Sequence, residues 1–169
     1  MSYDIGVSSF NFLSRIVMEL RDAIMPPMPT SMHVGSLLLN RFRLQKRRVS
    51  GSMSESWLAV DISEQSEVII SICRYSLSAL GYTPEHFNTL GGRLISITHS
   101  NIINILGHGI YSDHPFFAMD YIDGLNFRDF LNLNNIINLL FLISVYVQIA
   151  TSLMFLHSRG IIHADLKPD

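Results

Sequence analysis

"LHSRGIIHADLKPD" (residues 156–169) closes the sequence, and its reading decides the fold. An apolar run gives way to His163, Ala164, Asp165 and Lys167 within five positions, and Pro168 follows. A histidine, a carboxylate and an ammonium grouped just after a buried-looking segment raise the question of whether chemistry begins here. The bland alternative is a solvated loop pair with no chemical task. What precedes the stretch must decide between them.

Upstream lies "NNIINLLFLISVYVQIATSLMFLHSRG", with no Asp, Glu, Lys or Arg between Asp129 and Arg159. About 20 apolar residues suffice to cross a bilayer. Asn138, Ser144, Gln148, Thr151 and Ser152 interrupt the run, and no aromatic belt or basic flank sets an orientation, so a buried core helix is the preferred reading. The chain as a whole is apolar, at 48% hydrophobic and 15% charged residues. That balance directs attention to a membrane segment or to a surface that is normally covered.

Between residues 40 and 122 the pattern is of short β-like runs. "FRLQKRRV", "SWLAVDI" and "EVIISIC" are separated by the polar turns "SGSMSE" and "SEQS". "TPEHFNTLGGRLISI" starts a helix with Thr83 as N-cap and Pro84 at the first helical position, and Gly91-Gly92 then interrupts it. "INILGHGIYS" and "PFFAMDYI" read as two more strands joined by a turn through Asp113 and Pro115. Ahead of this region Phe10, Leu13, Val17, Leu20 and Ile24 fall on one helical face, a docking helix stopped by Pro26-Pro27, and "MPPMPTSMHVGS" reads as a linker.

Several function classes are disfavoured. A net charge of −2 gives no electrostatic case for nucleic acid, and the basic run at Lys46–Arg48 is too short to change that. The single cysteine, Cys73, leaves no internal disulfide or cysteine-rich metal site and fits a reducing cytoplasm. The seven histidines lack metal-ligand spacing, so no metal site is expected. No cleaved leader is visible at the start.

Taken in order, the motifs resemble a Ser/Thr protein kinase. "VSGSMSESWLAVD" is similar to the glycine-rich hairpin and "HSNIINILGHGI" to the approach to the family's fourth strand. "FFAMDYIDG" is similar to the fifth strand and hinge, "NFRDFL" to the next helix, and "LHSRGIIHADLKPD" to the lead-in to the catalytic loop. The resemblance leaves out the first forty residues. It implies an α+β fold: a small lobe of about five antiparallel strands plus one helix, followed by the first helices of a large lobe. The expected organisation is an N-terminal helix and linker over 1–39, the small lobe over 40–121, and hinge with truncated large-lobe start over 122–169. The uncharged segment then becomes the large lobe's central helix, which the family buries, and a membrane span is disfavoured.

The resemblance also assigns residues. ATP with Mg²⁺ is the family's cofactor set, and Asp165 and Lys167 stand at the catalytic carboxylate and the phosphate lysine. Gly51 is the surviving member of three loop glycine positions, with Val49 and Ser54 at the others. Met119 stands at the gatekeeper, Asp120 after it, and Ile122 where a backbone N–H meets the base. Departures are as informative. Ser71 replaces the lysine that bridges the phosphates, Leu90 its partner glutamate, Ile69 a small residue roofing the base, and Ala164 the arginine of H-R-D. The family's metal-binding asparagine and D-F-G aspartate would lie past residue 169. The expectation is a kinase-family segment with doubtful ATP binding and little or no transfer. Two alternatives stand beside it: an interaction module whose partner, or a missing large-lobe half, covers the apolar helix, and a small membrane-associated protein.

Overall fold

The computed structural model describes residues 28–29, 31–51, 53–133, 138–164 and 166. The N-terminal helix expected over 8–25 lies outside them. Contacts divide the chain between Tyr121 and Ile122 into two units.

The first unit is a six-stranded antiparallel sheet, built from β1 (Leu37–Leu38), β2 (Phe42–Ser50), β3 (Ser54–Asp61), β4 (Ser66–Cys73), β5 (Ile105–Tyr111) and β6 (His114–Asp120), in the order β1-β2-β3-β4-β6-β5. Period-two alternation explains which face each side chain takes. Trp57 and Ala59 on β3 and Val68, Ile70 and Ile72 on β4 are buried, while Leu58, Ile69 and Ser71 are only half-buried. Phe42, Leu44, Phe116 and Ala118 complete the core. Each large apolar side chain fully buried there contributes roughly 1.5–3 kcal/mol. Met28 and Met32, in the stretch read as a linker, pack against this core.

The sheet curls strongly. A Cβ on Gly109 of edge strand β5 would lie 2.9 Å from the Phe116 ring and 3.1 Å from Leu39, next to the opposite edge strand β1. Only a residue without a side chain admits that approach.

The expected strands are present, with two differences of detail. A sixth, two-residue strand, β1, pairs with β2. The β5–β6 turn is made by Ser112 and Asp113, at φ +48° and +69°, whereas Pro115 sits inside β6 opposite Ile110.

Helix α1 (Pro84–Ile95) begins as its sequence dictates: the Thr83 hydroxyl accepts from the His86 N–H at 3.3 Å, and Pro84 occupies the first turn. It does not break at Gly91-Gly92. The expected interruption is absent because Gly91 is where the helix touches the sheet, its buried Cα set against the His108 ring of β5.

The second unit contains α2 (Phe127–Leu133) and α3 (Leu139–Ser158). Asn138 caps α3 by accepting the Leu140 N–H at 2.8 Å, and Phe130 meets Phe141 with ring centroids 5.2 Å apart. The hydroxyls of Ser144, Thr151 and Ser152 donate to carbonyls three or four residues back, which satisfies them within the helix. Of α3 only Ser152 and Leu156 are buried. The burial expected of a central helix is therefore not achieved among the described residues, which cover one stripe and leave the other sides open.

Candidate functional site

Directly paired residues of antiparallel strands project to the same face. β3, β4 and β6 therefore place Ser56 beside Ser71, Leu58 beside Ile69, Ile69 beside Met119, and Ser71 beside Phe117. All six are half-buried, in contrast to the fully buried core face behind them. This half-open face is apolar with two hydroxyls, and β3, β4 and β6 put no cation on it.

A cation just past the end of β4 lies behind the sheet. Arg74 follows Ile70 and Ile72 on the core side and is 7% exposed. Its Nε donates to the Gly51 carbonyl at 2.7 Å, and its Nη2 donates to Glu55 Oε2 at 3.3 Å. Glu55 is 2% exposed and also accepts the Trp57 indole N–H at 2.8 Å. Exposed Arg47 approaches the same carboxylate at 3.6 Å.

Among residues expected at a site, Gly51 lies in the β2–β3 turn, where its N–H donates to the Ser54 carbonyl at 2.9 Å. Met119 shares the half-open face. Asp120 ends β6 with its Oδ2 accepting from Asn104 Nδ2 at 2.7 Å, and its backbone N–H donates to the Asn104 carbonyl. Tyr121 follows, with the Arg48 guanidinium 5.7 Å from its ring centroid. Ile122 opens the second unit and is exposed. Leu90 is half-buried on α1. Asp165 and Lys167 lie outside the described residues, and between them and the helix Ala164 has φ +59°.

Two buried ionic groups carry no motif. One is Glu55 with Arg74. The other is Asp61, whose Oδ2 accepts from Arg41 Nε and Nη2 at 2.9 and 2.6 Å, and whose Oδ1 accepts from the Ser63 N–H and hydroxyl at 3.0 and 2.6 Å. The Arg41 hydrogen bonds above all, reinforced by Ser63, hold the Asp61 carboxyl far below the ordinary carboxylate range. A signal for Glu55 does exist in the alternation: in "ESWLA" the acid falls in phase with Trp57 and Ala59, on the strand's apolar side. Burial raises the Cys73 thiol.

A curled antiparallel sheet with one helix packed on β5 and a glycine-bearing hairpin between β2 and β3 matches the small lobe of a protein kinase. The protein kinase domain profile matches residues 50–169. The chain is 30% identical over 135 residues to the serine/threonine-protein kinase pkn2 of Myxococcus xanthus, covering 79% of this chain and 16% of that protein. It is 25% identical over 137 residues to PrkC of Bacillus subtilis, covering 81% and 21% respectively. Among solved structures, the kinase domain of Mycobacterium tuberculosis PknI superposes with a TM-score of 0.67 at 15% identity, covering 82% of this chain and 56% of that one. Rad53 in complex with AMP-PNP gives 0.67 at 20% identity, with 76% and 33% covered. This chain belongs to the protein kinase family, in its bacterial Ser/Thr type. It spans about a fifth of the length of the curated relatives it matches.

The family's cofactors set a test of fit. Transfer from ATP needs a cation at the phosphates and acidic ligands for magnesium. Ser71, which the resemblance sets where the family has its lysine, offers only a hydroxyl, and Arg74 is engaged on the opposite face. No three His, Cys, Asp or Glu among the described residues come together to hold a metal. The described residues do not fit a Mg·ATP transfer site.

Proposed function

We propose that this chain is a kinase-family domain segment that keeps the small-lobe scaffold and does not itself carry out phosphoryl transfer. The observation that supports it is Ser71. It occupies the lysine position on a half-open face to which β3, β4 and β6 bring no positive charge, while the guanidinium of Arg74, just past the end of β4, is committed to Glu55 and Gly51 behind the sheet. Removing one electrostatic stabiliser from an active site commonly costs about 10²–10³ in rate. Here Leu90 removes the lysine's partner as well. Loss of both halves avoids leaving a lone buried charge, which is the costly case. Met119, Asp120 and Ile122 retain the hinge pattern, which reads a base through main-chain groups and so survives side-chain change. Weak base contact without a phosphate grip is the expected binding behaviour. A thermal-shift titration with Mg·ATP tests this: no saturable rise in Tm is expected, and a rise that saturates at micromolar nucleotide contradicts the reading.

A second reading, an interaction module, is supported by α3. A 20-residue helix with a mean hydropathy of 2.1 in its most apolar window is covered over only 6% of that window. We assign its open sides to protein of the large-lobe type, supplied by the same polypeptide or by a partner. Satisfied hydroxyls and the Asn138 cap suit burial against other helices. Membrane flotation separates this from lipid insertion, since chain recovered with the vesicles contradicts it.

A further inference from the structure

We propose that Glu55 and Arg74 form a staple that locks the β2–β3 turn shut from the core side of the sheet, so that the turn is held closed without any ligand. This goes beyond the reading above and does not depend on it, because it concerns the resting turn and not the presence or absence of transfer.

Glu55 pairs across the strands with Ile72, and Arg74, one residue past the end of β4, lies two residues on from Ile72, so carboxylate and guanidinium meet diagonally behind the sheet. Both are more than nine-tenths buried. Among the described residues, Arg74 then reaches the turn at two points. Its side-chain Nε donates to the Gly51 carbonyl at 2.7 Å, and its backbone N–H donates to the Met53 carbonyl at 2.9 Å. The carboxylate holds the guanidinium in place and is itself fixed by the Trp57 indole. Lysine in place of Arg74 could not reproduce this, because one ammonium lacks the planar fork that faces two acceptors at once.

The consequence falls on Gly51. Its carbonyl is taken by Arg74 and its N–H by the Ser54 carbonyl, so both of its backbone groups are engaged inside the turn. An anion approaching that N–H would have to displace Ser54, and the staple opposes the opening this requires. Glu55 and Arg74 are thus positioning residues for the turn.

Amide hydrogen exchange read by NMR on the full chain tests the staple. Arg74→Met removes the side-chain donors and keeps the stem. Because it strands a buried carboxylate and could fail to fold, Glu55→Gln/Arg74→Met removes both charges together. In the folded variant the Gly51 amide should exchange about tenfold faster or more. The Phe117 and Ala118 amides of β6 should stay within about twofold of wild type, which a merely structural loss of stability would not allow. Arg74→Lys should give partial loosening. Unchanged Gly51 exchange in the folded double variant, or equal acceleration at all of these amides, overturns the proposal.

Discussion

Gly91 of α1 lies so close to His108 of β5 that a Cβ built on it would stand 2.3 Å from the imidazole Cδ2 and 2.6 Å from Nε2. Its neighbour Gly92 has nothing within 4 Å of the same added atom. Two adjacent glycines in one helix therefore have opposite meanings.

Substitution separates them. Alanine gains roughly 1 kcal/mol over glycine in a helix interior, so Gly92→Ala should stabilise the chain by up to about that amount. At Gly91 the same gain is outweighed by overpacking, which costs roughly 1–3 kcal/mol and more where a ring must move. Urea denaturation should place Gly91→Ala below and Gly92→Ala above wild type. Nδ1 of His108 is buried and has no hydrogen-bond partner among the described residues. Truncating that ring, as in Gly91→Ala/His108→Ala, should therefore recover part of the loss.

Asp61 sets an acid limit. Its pKa is lowered on folding from an ordinary 3.8, chiefly by Arg41. The stability it contributes is thus complete above the unfolded value and is withdrawn as pH falls below about 4 toward the folded pKa. Asp61→Asn should lose about 2 kcal/mol at pH 7, the scale of hydrogen bonds to a charged group. It should also show a flatter decline in stability between about pH 5 and pH 2. A variant as acid-sensitive as wild type would place the effect elsewhere.

On the proposed reading, Ser71→Lys supplies the family's ammonium without its acid. It should leave Mg·ATP binding unchanged by thermal shift, while Ser71→Lys/Leu90→Glu should bind more strongly than the two single changes combined. Coupling between residues in contact typically lies at about 0.5–3 kcal/mol. Equal effects of the single and double variants would show that α1 does not bring position 90 to position 71.

Leu139, Leu140 and Met154 of α3 are 69%, 73% and 71% exposed. A monomer rarely carries an apolar patch beyond a few hundred Å². Sedimentation of the purified chain should show self-association and uptake of an apolar-surface dye. Leu140→Lys/Met154→Lys should reduce both. A monodisperse wild-type chain that binds no dye would count against an open α3.

The strands and the start of α1 were legible because they are local. Alternation in "SESWLAVD" and "EVIISIC" fixes which face is core, and Thr83-Pro84 is a cap and first turn by chemistry alone. β1 was not legible, being two residues long and joined to β2 through Leu39 and Asn40, both at φ above +50°. Nothing in a leucine signals that conformation. Gly91 was misread for a related reason, since its use depends on a histidine seventeen residues away in sequence. The Glu55–Arg74 pair joins side chains nineteen residues apart, and only the out-of-place acid in "ESWLA" hinted at it. Ser71 and Met119 were singled out by the family resemblance alone; that they share one face of the sheet, and that Arg74 is committed to the far face, needed the fold.

Transfer of the terminal phosphate of radiolabelled ATP, with magnesium and a generic protein acceptor, tests the central claim most directly. The account predicts no label on the acceptor or on the chain itself above a no-protein blank. Label that appears with wild type and disappears with Asp165→Asn would show that a triphosphate is gripped and transferred without an ammonium at position 71, and would contradict it.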